Sequence, residues 1–238
     1  MKLQRLMSLT RKALQEYDMI EDGDKICVGV SGGKDSLALL KSLHGIKRFY
    51  PKKFELCAIS VDLGFGIQNF DKITDYCNEM DIPLYIVKTE IGDIVFKDRK
   101  EKSPCSLCAK MRKGALNEKA KELGCNKIAY AHHKDDIIET LMLSLIFESR
   151  IHTFSPVTYL DRMELTLIRP LMFVDERDVI GFANKYELPV AKNPCPADGY
   201  TKRQYVKELL SKMNHDNTGC KDRMFTAILS GNMSGFHL

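Results

Sequence analysis

Apolar and polar positions follow two periods along this chain, and the switches between them outline its elements. Leu3, Leu6, Leu9 and Leu14 fall near helical spacing within Met1 to Tyr17, which predicts a short amphipathic helix. After the turn-like Asp22-Gly23 comes an apolar run, Lys25 to Val30. Its Ile26-Cys27-Val28-Gly29-Val30 register suits a strand buried on both faces. A helical stripe follows, with Leu37, Leu40, Leu43 and Ile46 on one side. Phe54 to Val61 predicts a second strand, Ile73 to Met80 lies in a second helix, and Pro83 to Thr89 predicts a third strand. Ala109 to Leu123 predicts a third helix ending at Gly124, a residue suited to a C-terminal cap. Lys127 to His132 and Asp135 to Phe147 repeat the alternation. Glu164 to Ile168 adds a strand before a helix beginning near Asp175, and the chain from about Gly199 reads as helical and basic.

Repeated strand–helix units imply a parallel sheet covered on both faces. The expected fold class is therefore α/β, a doubly wound, mostly parallel sheet with a basic helical C-terminal extension. The expected boundaries are 1–24 for the N-terminal helix, 25–198 for the sheet domain and 199–238 for the extension. No segment approaches the roughly 18 to 20 apolar residues of a membrane span. The N-terminal segment is too polar for a secretory signal, so the expected location is the cytoplasm, with no membrane partner. The formal net charge of +4 permits a nucleic-acid partner without requiring one. The eight cysteines change the picture more. A chain of this length builds a core without disulfides, so paired cysteines in a reducing compartment point to metal or redox chemistry.

Directly after the first strand stands Ser31-Gly32-Gly33-Lys34-Asp35-Ser36. Two glycines allow a tight turn and close approach of a ligand, and the following helix aims its free N–H groups at the loop. Lys34 adds a charge for phosphate oxygens, and Ser31 and Ser36 add hydroxyls. The spacing is neither that of a Walker A loop nor that of the dinucleotide GxGxxG. The motif resembles the signature of the PP-loop ATP pyrophosphatases, which cleave ATP between its α and β phosphates and attach AMP to a substrate oxygen. Ala131-His132-His133-Lys134-Asp135-Asp136-Ile137-Ile138-Glu139-Thr140 resembles the GHHxDDxxET segment of the tRNA-modifying branch, with Ala131 in place of glycine. Val61-Asp62-Leu63-Gly64 follows the second strand, where that family contacts the adenosine. The resemblance implies an adenine nucleotide alpha-hydrolase-like fold. It also implies ATP contacts from Ser31 to Ser36, Val61, Asp62, His132, Asp135, Asp136 and Thr140, and magnesium (Mg2+) on Asp35 and Asp136. Read without it, Asp135 and Asp136 are also favourable helix caps.

Cys105-Ser106-Leu107-Cys108 opens the third helix, where the dipole and Lys102, Lys110, Arg112 and Lys113 favour thiolates. Cys195, between Pro194 and Pro196, is a third candidate. Spacing alone leaves zinc, a redox centre and an iron–sulfur cluster open. Cys27 and Cys57 read as buried small hydrophobes, and Cys77, Cys125 and Cys220 as structural. The stretch Cys105 to Gly114 is similar to the CxLCxxxRRG segment of the tRNA 2-thiocytidine synthetases (TtcA type), Ile168-Arg169-Pro170-Leu171 to their IRPL, and Leu188 to Cys195 to the stretch carrying their third cysteine. The resemblance implies a 4Fe-4S cluster on Cys105, Cys108 and Cys195, with Lys34, Asp35, Asp136 and these cysteines as catalytic residues. The reaction implied is thiolation of a tRNA pyrimidine, by default cytidine at position 32, with 2-thiouridine synthesis as the alternative. The tRNA is expected to meet Lys100, Lys102, Lys110, Arg112, Lys113 and Arg203. The sulfur donor, cysteine desulfurase or free sulfide, stays open, as does whether the chain forms a homodimer. A lysidine synthetase-like enzyme would not need the cysteine set, and a non-catalytic zinc or RNA-binding protein would not need Ser31 to Ser36.

Overall fold

The computed structural model describes residues 1–65, 70–99, 104–191, 201–231 and 236. Its strands are β1 (Asp24–Gly29), β2 (Phe54–Asp62), β3 (Leu84–Lys88), β4 (Lys127–Ala129), β5 (Val157–Leu160) and β6 (Leu165–Ile168). The helices are α1 (Leu3–Glu16), α2 (Lys34–Lys47), α3 (Asp71–Asn78), α4 (Ile91–Asp93), α5 (Pro104–Glu122), α6 (Lys134–Phe147), α7 (Glu176–Lys185), α8 (Lys202–Asp216) and α9 (Cys220–Ser230). A π-helical segment, Ile94–Asp98, continues α4.

The strands form one sheet in the order β3-β2-β1-β4-β6-β5. All neighbours pair in parallel except β5, which runs antiparallel to β6 on the edge. The order reverses direction between β1 and β4. Loops leaving the carboxyl ends of those two strands therefore diverge and leave a crevice between them, the usual ligand site of such sheets.

Two apolar layers hold the sheet. On one face α1, α2 and α7 pack through Leu6, Leu14, Leu37, Leu40, Leu43, Val179 and Phe182. On the other, α5 lays Leu116 and Ala120 over Cys27, Cys57 and Ile59. Cys125 joins this layer, its Sγ 3.6 Å from that of Cys57, so these cysteines are part of the packing. Helices α8 and α9 pack against α6. Among the described residues, no helix is long and apolar enough to cross a membrane.

Three details depart from the pattern-based reading. Strand β5 was not expected. Its positions are half-buried or exposed, as suits an edge strand, so it has no continuous apolar run to announce it. The strand placed at Lys127 to His132 stops at Ala129, because the chain then leaves the sheet to let His133 cap α6. The short α4 and its π-helical continuation were also not expected.

Candidate active site

β1 leads directly into the loop Ser31–Ser36. Gly32 has φ +79°, in the left-handed region, and a Cβ there would lie 3.1 Å from the Ala191 Cβ and 3.2 Å from Ile73 Cδ1. Both conformation and space thus call for glycine. Its carbonyl accepts the Ala191 N–H at 2.9 Å, tying the chain after α7 to the loop. The serines shape the turn. Ser36 Oγ donates to the Gly33 carbonyl at 2.9 Å, while Ser31 N–H donates to Ser36 Oγ at 3.2 Å. Gly33 caps α2 without a side chain, so the first-turn N–H groups keep the character of an anion-binding end.

Charges converge on this loop from distant elements. Lys34 Nζ bridges Asp35 Oδ2 at 3.1 Å and Glu176 Oε1 at 3.2 Å. Burial alone would lower the Lys34 pKa, but these two carboxylates outweigh it and hold the ammonium above the usual lysine range. Lys207 of α8 closes on Glu176 at 2.7 Å. The other Asp35 oxygen, Oδ1, is buried and has no hydrogen-bond partner among the described residues; His133 Nε2 stands 3.8 Å from it.

The two aspartates that open α6 divide their work. His133 and Asp136 form a reciprocal cap, with Asp136 N–H on His133 Nδ1 at 3.4 Å and His133 N–H on Asp136 Oδ2 at 3.0 Å. Asp136 Oδ1 accepts from Arg203 at 2.8 Å, and Arg203 also reaches Glu139 at 3.0 Å and Thr140 at 3.2 Å. Asp135 instead accepts the Glu176 N–H at the start of α7 at 2.7 Å and Lys221 of α9 at 2.6 Å. Burial would raise the Asp135 pKa, but that N–H and Lys221 outweigh it and keep the carboxyl below its usual range. Asp136 thus caps its own helix as the capping reading expects, whereas Asp135 does not and instead accepts an N–H at the start of α7. A hard cation that seeks oxygen ligands fits the orphaned Asp35 Oδ1, whereas Asp136 would have to share with Arg203.

His132 turns away from the loop. Its ring stacks on Phe154 with centroids 4.3 Å apart and planes 9° apart, and on Tyr130 at 5.7 Å. Burial lowers its pKa from 6.5 to about 4, against the opposing pull of Asp136. The folded state thus binds this proton less well than the unfolded chain. The penalty is absent above about pH 6.5 and grows as pH falls towards 4. At pH 5 it amounts to about 2 kcal/mol. Urea unfolding at pH 7.5 and pH 5 should show this loss in the wild type and a smaller one in His132→Gln. Parallel pH dependences would contradict it.

The remaining expected residues are distributed as follows. Val61 and Asp62 end β2, where Asp62 Oδ1 accepts the Gly64 N–H at 3.0 Å. Cys105 is exposed and Cys108 half-buried in the first turn of α5. Lys110, Arg112 and Lys113 are exposed along the same helix. Lys100, Lys102 and Cys195 lie outside the described residues, and among the described ones no third metal-binding side chain joins Cys105 and Cys108. Arg203, expected on RNA, is committed to the α6 carboxylates.

The PP-loop domain family matches residues 5–213. The tRNA-cytidine(32) 2-sulfurtransferase of Geobacter sulfurreducens is 36% identical over 230 residues, 95% of this chain and 90% of its own. This chain belongs to the tRNA-cytidine(32) 2-sulfurtransferase family of PP-loop proteins. A second family member, from Syntrophotalea carbinolica, is 36% identical over 98% of this chain and 91% of its own. Among solved structures, the U34-tRNA thiolase NcsA of Methanococcus maripaludis, with its 4Fe-4S cluster, is 25% identical. It has a TM-score of 0.75 over 92% of this chain and 76% of its own. The NH3-dependent NAD synthetase of Campylobacter jejuni, 15% identical with a TM-score of 0.53 over 96% of this chain and 92% of its own, shares the fold alone. Within this sulfurtransferase family chain, sequence reading missed Glu176 and Lys221 at the loop. Neither belongs to a local motif.

Proposed function

We propose that this enzyme thiolates a tRNA pyrimidine, cytidine 32, using ATP and magnesium, in the cytoplasm. The carrying observation is topological. α5 starts after the exit of β3 and returns to the entry of β4, so Cys105 and Cys108 sit at the same end of the sheet as the PP-loop. Activation and sulfur delivery can therefore meet at one base.

Lys34 and the first-turn N–H groups of α2 hold the ATP phosphates, and Val61 and Asp62 border the adenosine. Asp35 Oδ1, with Asp136, would hold magnesium, which neutralises charge as pyrophosphate leaves. The base carbonyl oxygen attacks the α-phosphorus and pyrophosphate departs. Hydrosulfide then adds to the activated carbon, a proton is released, and AMP leaves with the former carbonyl oxygen. Cys105, Cys108 and Cys195 would hold a 4Fe-4S cluster, which when bound supplies an iron without a protein ligand for sulfide. The accessible CxxC at a helix start fits two of those ligands. Lys110, Arg112 and Lys113, with Lys100 and Lys102, neutralise tRNA phosphates.

The test is nucleoside analysis of tRNA after reaction with oxygen-free protein, ATP, magnesium and sulfide. About one 2-thiocytidine per tRNA, with matching AMP, is expected. A 2-thiouridine product would instead support a uridine target, which the likeness to the U34-tRNA thiolase NcsA favours. AMP without any thionucleoside would overturn sulfur transfer.

A further inference from the structure

At the exits of β4 and β6, the Tyr130 hydroxyl, His132 Nδ1 and Arg169 Nε are buried and have no hydrogen-bond partner among the described residues. Each such group is costly to leave unpaired, and most buried polar groups in folded chains are satisfied. Their coincidence in one place marks a site whose partner lies beyond the described residues.

The groups belong to one stacked column. The Tyr130 ring lies 5.7 Å from His132, His132 lies 4.3 Å from Phe154, and the Arg169 guanidinium sits 5.2 Å from the Phe154 centroid. Arg169 is fixed by its NH1, which donates to the Ser155 carbonyl and to Thr158 Oγ1 at 3.1 Å, while its Nε donor has no partner among the described residues. Tyr130 and His132 are half-buried as residues.

Position narrows the ligand. β4 and β6 are neighbours, so both exits open at the carboxyl end of the sheet. Tyr130 touches the space beside Gly29, the last residue of β1 before the PP-loop, with its Cε1 3.6 Å from where a Cβ would stand. From the other side, Arg112 and Lys113 of the cysteine-bearing helix lie within electrostatic reach of Tyr130 and Arg169. The column therefore stands between the phosphate loop and the helix that carries Cys105 and Cys108. Adenosine is expected at the exit of β2, across β1 from this place.

We infer that Tyr130, His132 and Arg169 form the recognition site for the unpaired pyrimidine base of the RNA substrate. This rests on the tRNA-thiolation reading above. A base supplies a flat face for the aromatic column, and carbonyl and ring-nitrogen acceptors for the Arg169 and Tyr130 donors. Its flanking phosphates meet Arg112 and Lys113.

The experiment uses the full chain and anticodon stem–loop RNAs in which an abasic site is moved through each loop position. Wild type should bind the intact RNA about tenfold more tightly than the RNA abasic at the target position. Tyr130→Phe, which removes only the hydroxyl, should narrow this gap. Arg169→Lys should erase it. Both should bind the abasic RNA and ATP as the wild type does. Variants that keep the full gap overturn the site, as does a loss of ATP affinity with the gap intact, which would assign the column to the nucleotide. If wild type shows no position dependence while thiolating tRNA, the site falls and the reaction stands. If the gap is present but no thionucleoside forms in the product analysis, the reaction reading falls and the base site stands.

Discussion

Replacing Lys34 by alanine should reduce tRNA-dependent AMP formation by about 100- to 1,000-fold, the range seen when one preorganised charge at a developing anion is removed. The geometry gives the reason. Lys34 Nζ is held between Asp35 and Glu176 at 3.1 and 3.2 Å, positioned before any phosphate arrives. Its pKa lies above the usual lysine range, so it is charged throughout the neutral range. Single-turnover AMP release at saturating ATP measures the effect. The thermal unfolding midpoint of the same variant separates it from loss of the ion pairs to Glu176, because Lys207 still neutralises that carboxylate. A drop of only about fivefold would mean that Lys34 serves the Glu176 network and not the phosphates.

Cys108→Ser should abolish thiolation while leaving tRNA-dependent AMP formation in place. The side chain sits half-buried in the first turn of α5, beside Leu107 and Met111, and serine nearly keeps its volume. Iron and acid-labile sulfide after oxygen-free reconstitution should fall from about four each per chain towards none. Cys195→Ala should behave alike. Unchanged iron in either variant would remove that cysteine from the ligand set. Zinc in place of iron in the wild type would turn the same residues into structure.

The sequence makes the architecture readable where apolar runs are long. β1 and β2 are buried on both faces and appear as uninterrupted runs, and the amphipathic stripes of α1 and α2 face one layer. The loop Ser31–Ser36 is legible because glycine, lysine and serine act through local backbone geometry. The partition of His132 and His133 is not. Adjacent residues leaving a strand point to opposite sides, and which side faces the loop depends on where β4 ends. Glu176 was invisible for another reason. It meets Lys34 across 142 residues of chain, and an ion pair between distant segments leaves no periodic trace. Arg203 was expected on tRNA phosphates as one cation of a basic stretch. Nothing around it in the sequence distinguishes a side chain that turns inward to Asp136 and Glu139.

Asp136, Asp135 and Glu176 draw balancing cations from α8 and α9, the last of the described helices, with Lys34 sharing Glu176. With those cations absent, the carboxylates beside the phosphate loop would repel a triphosphate, so the two helices act on nucleotide affinity through charge alone, without touching the loop Ser31–Ser36.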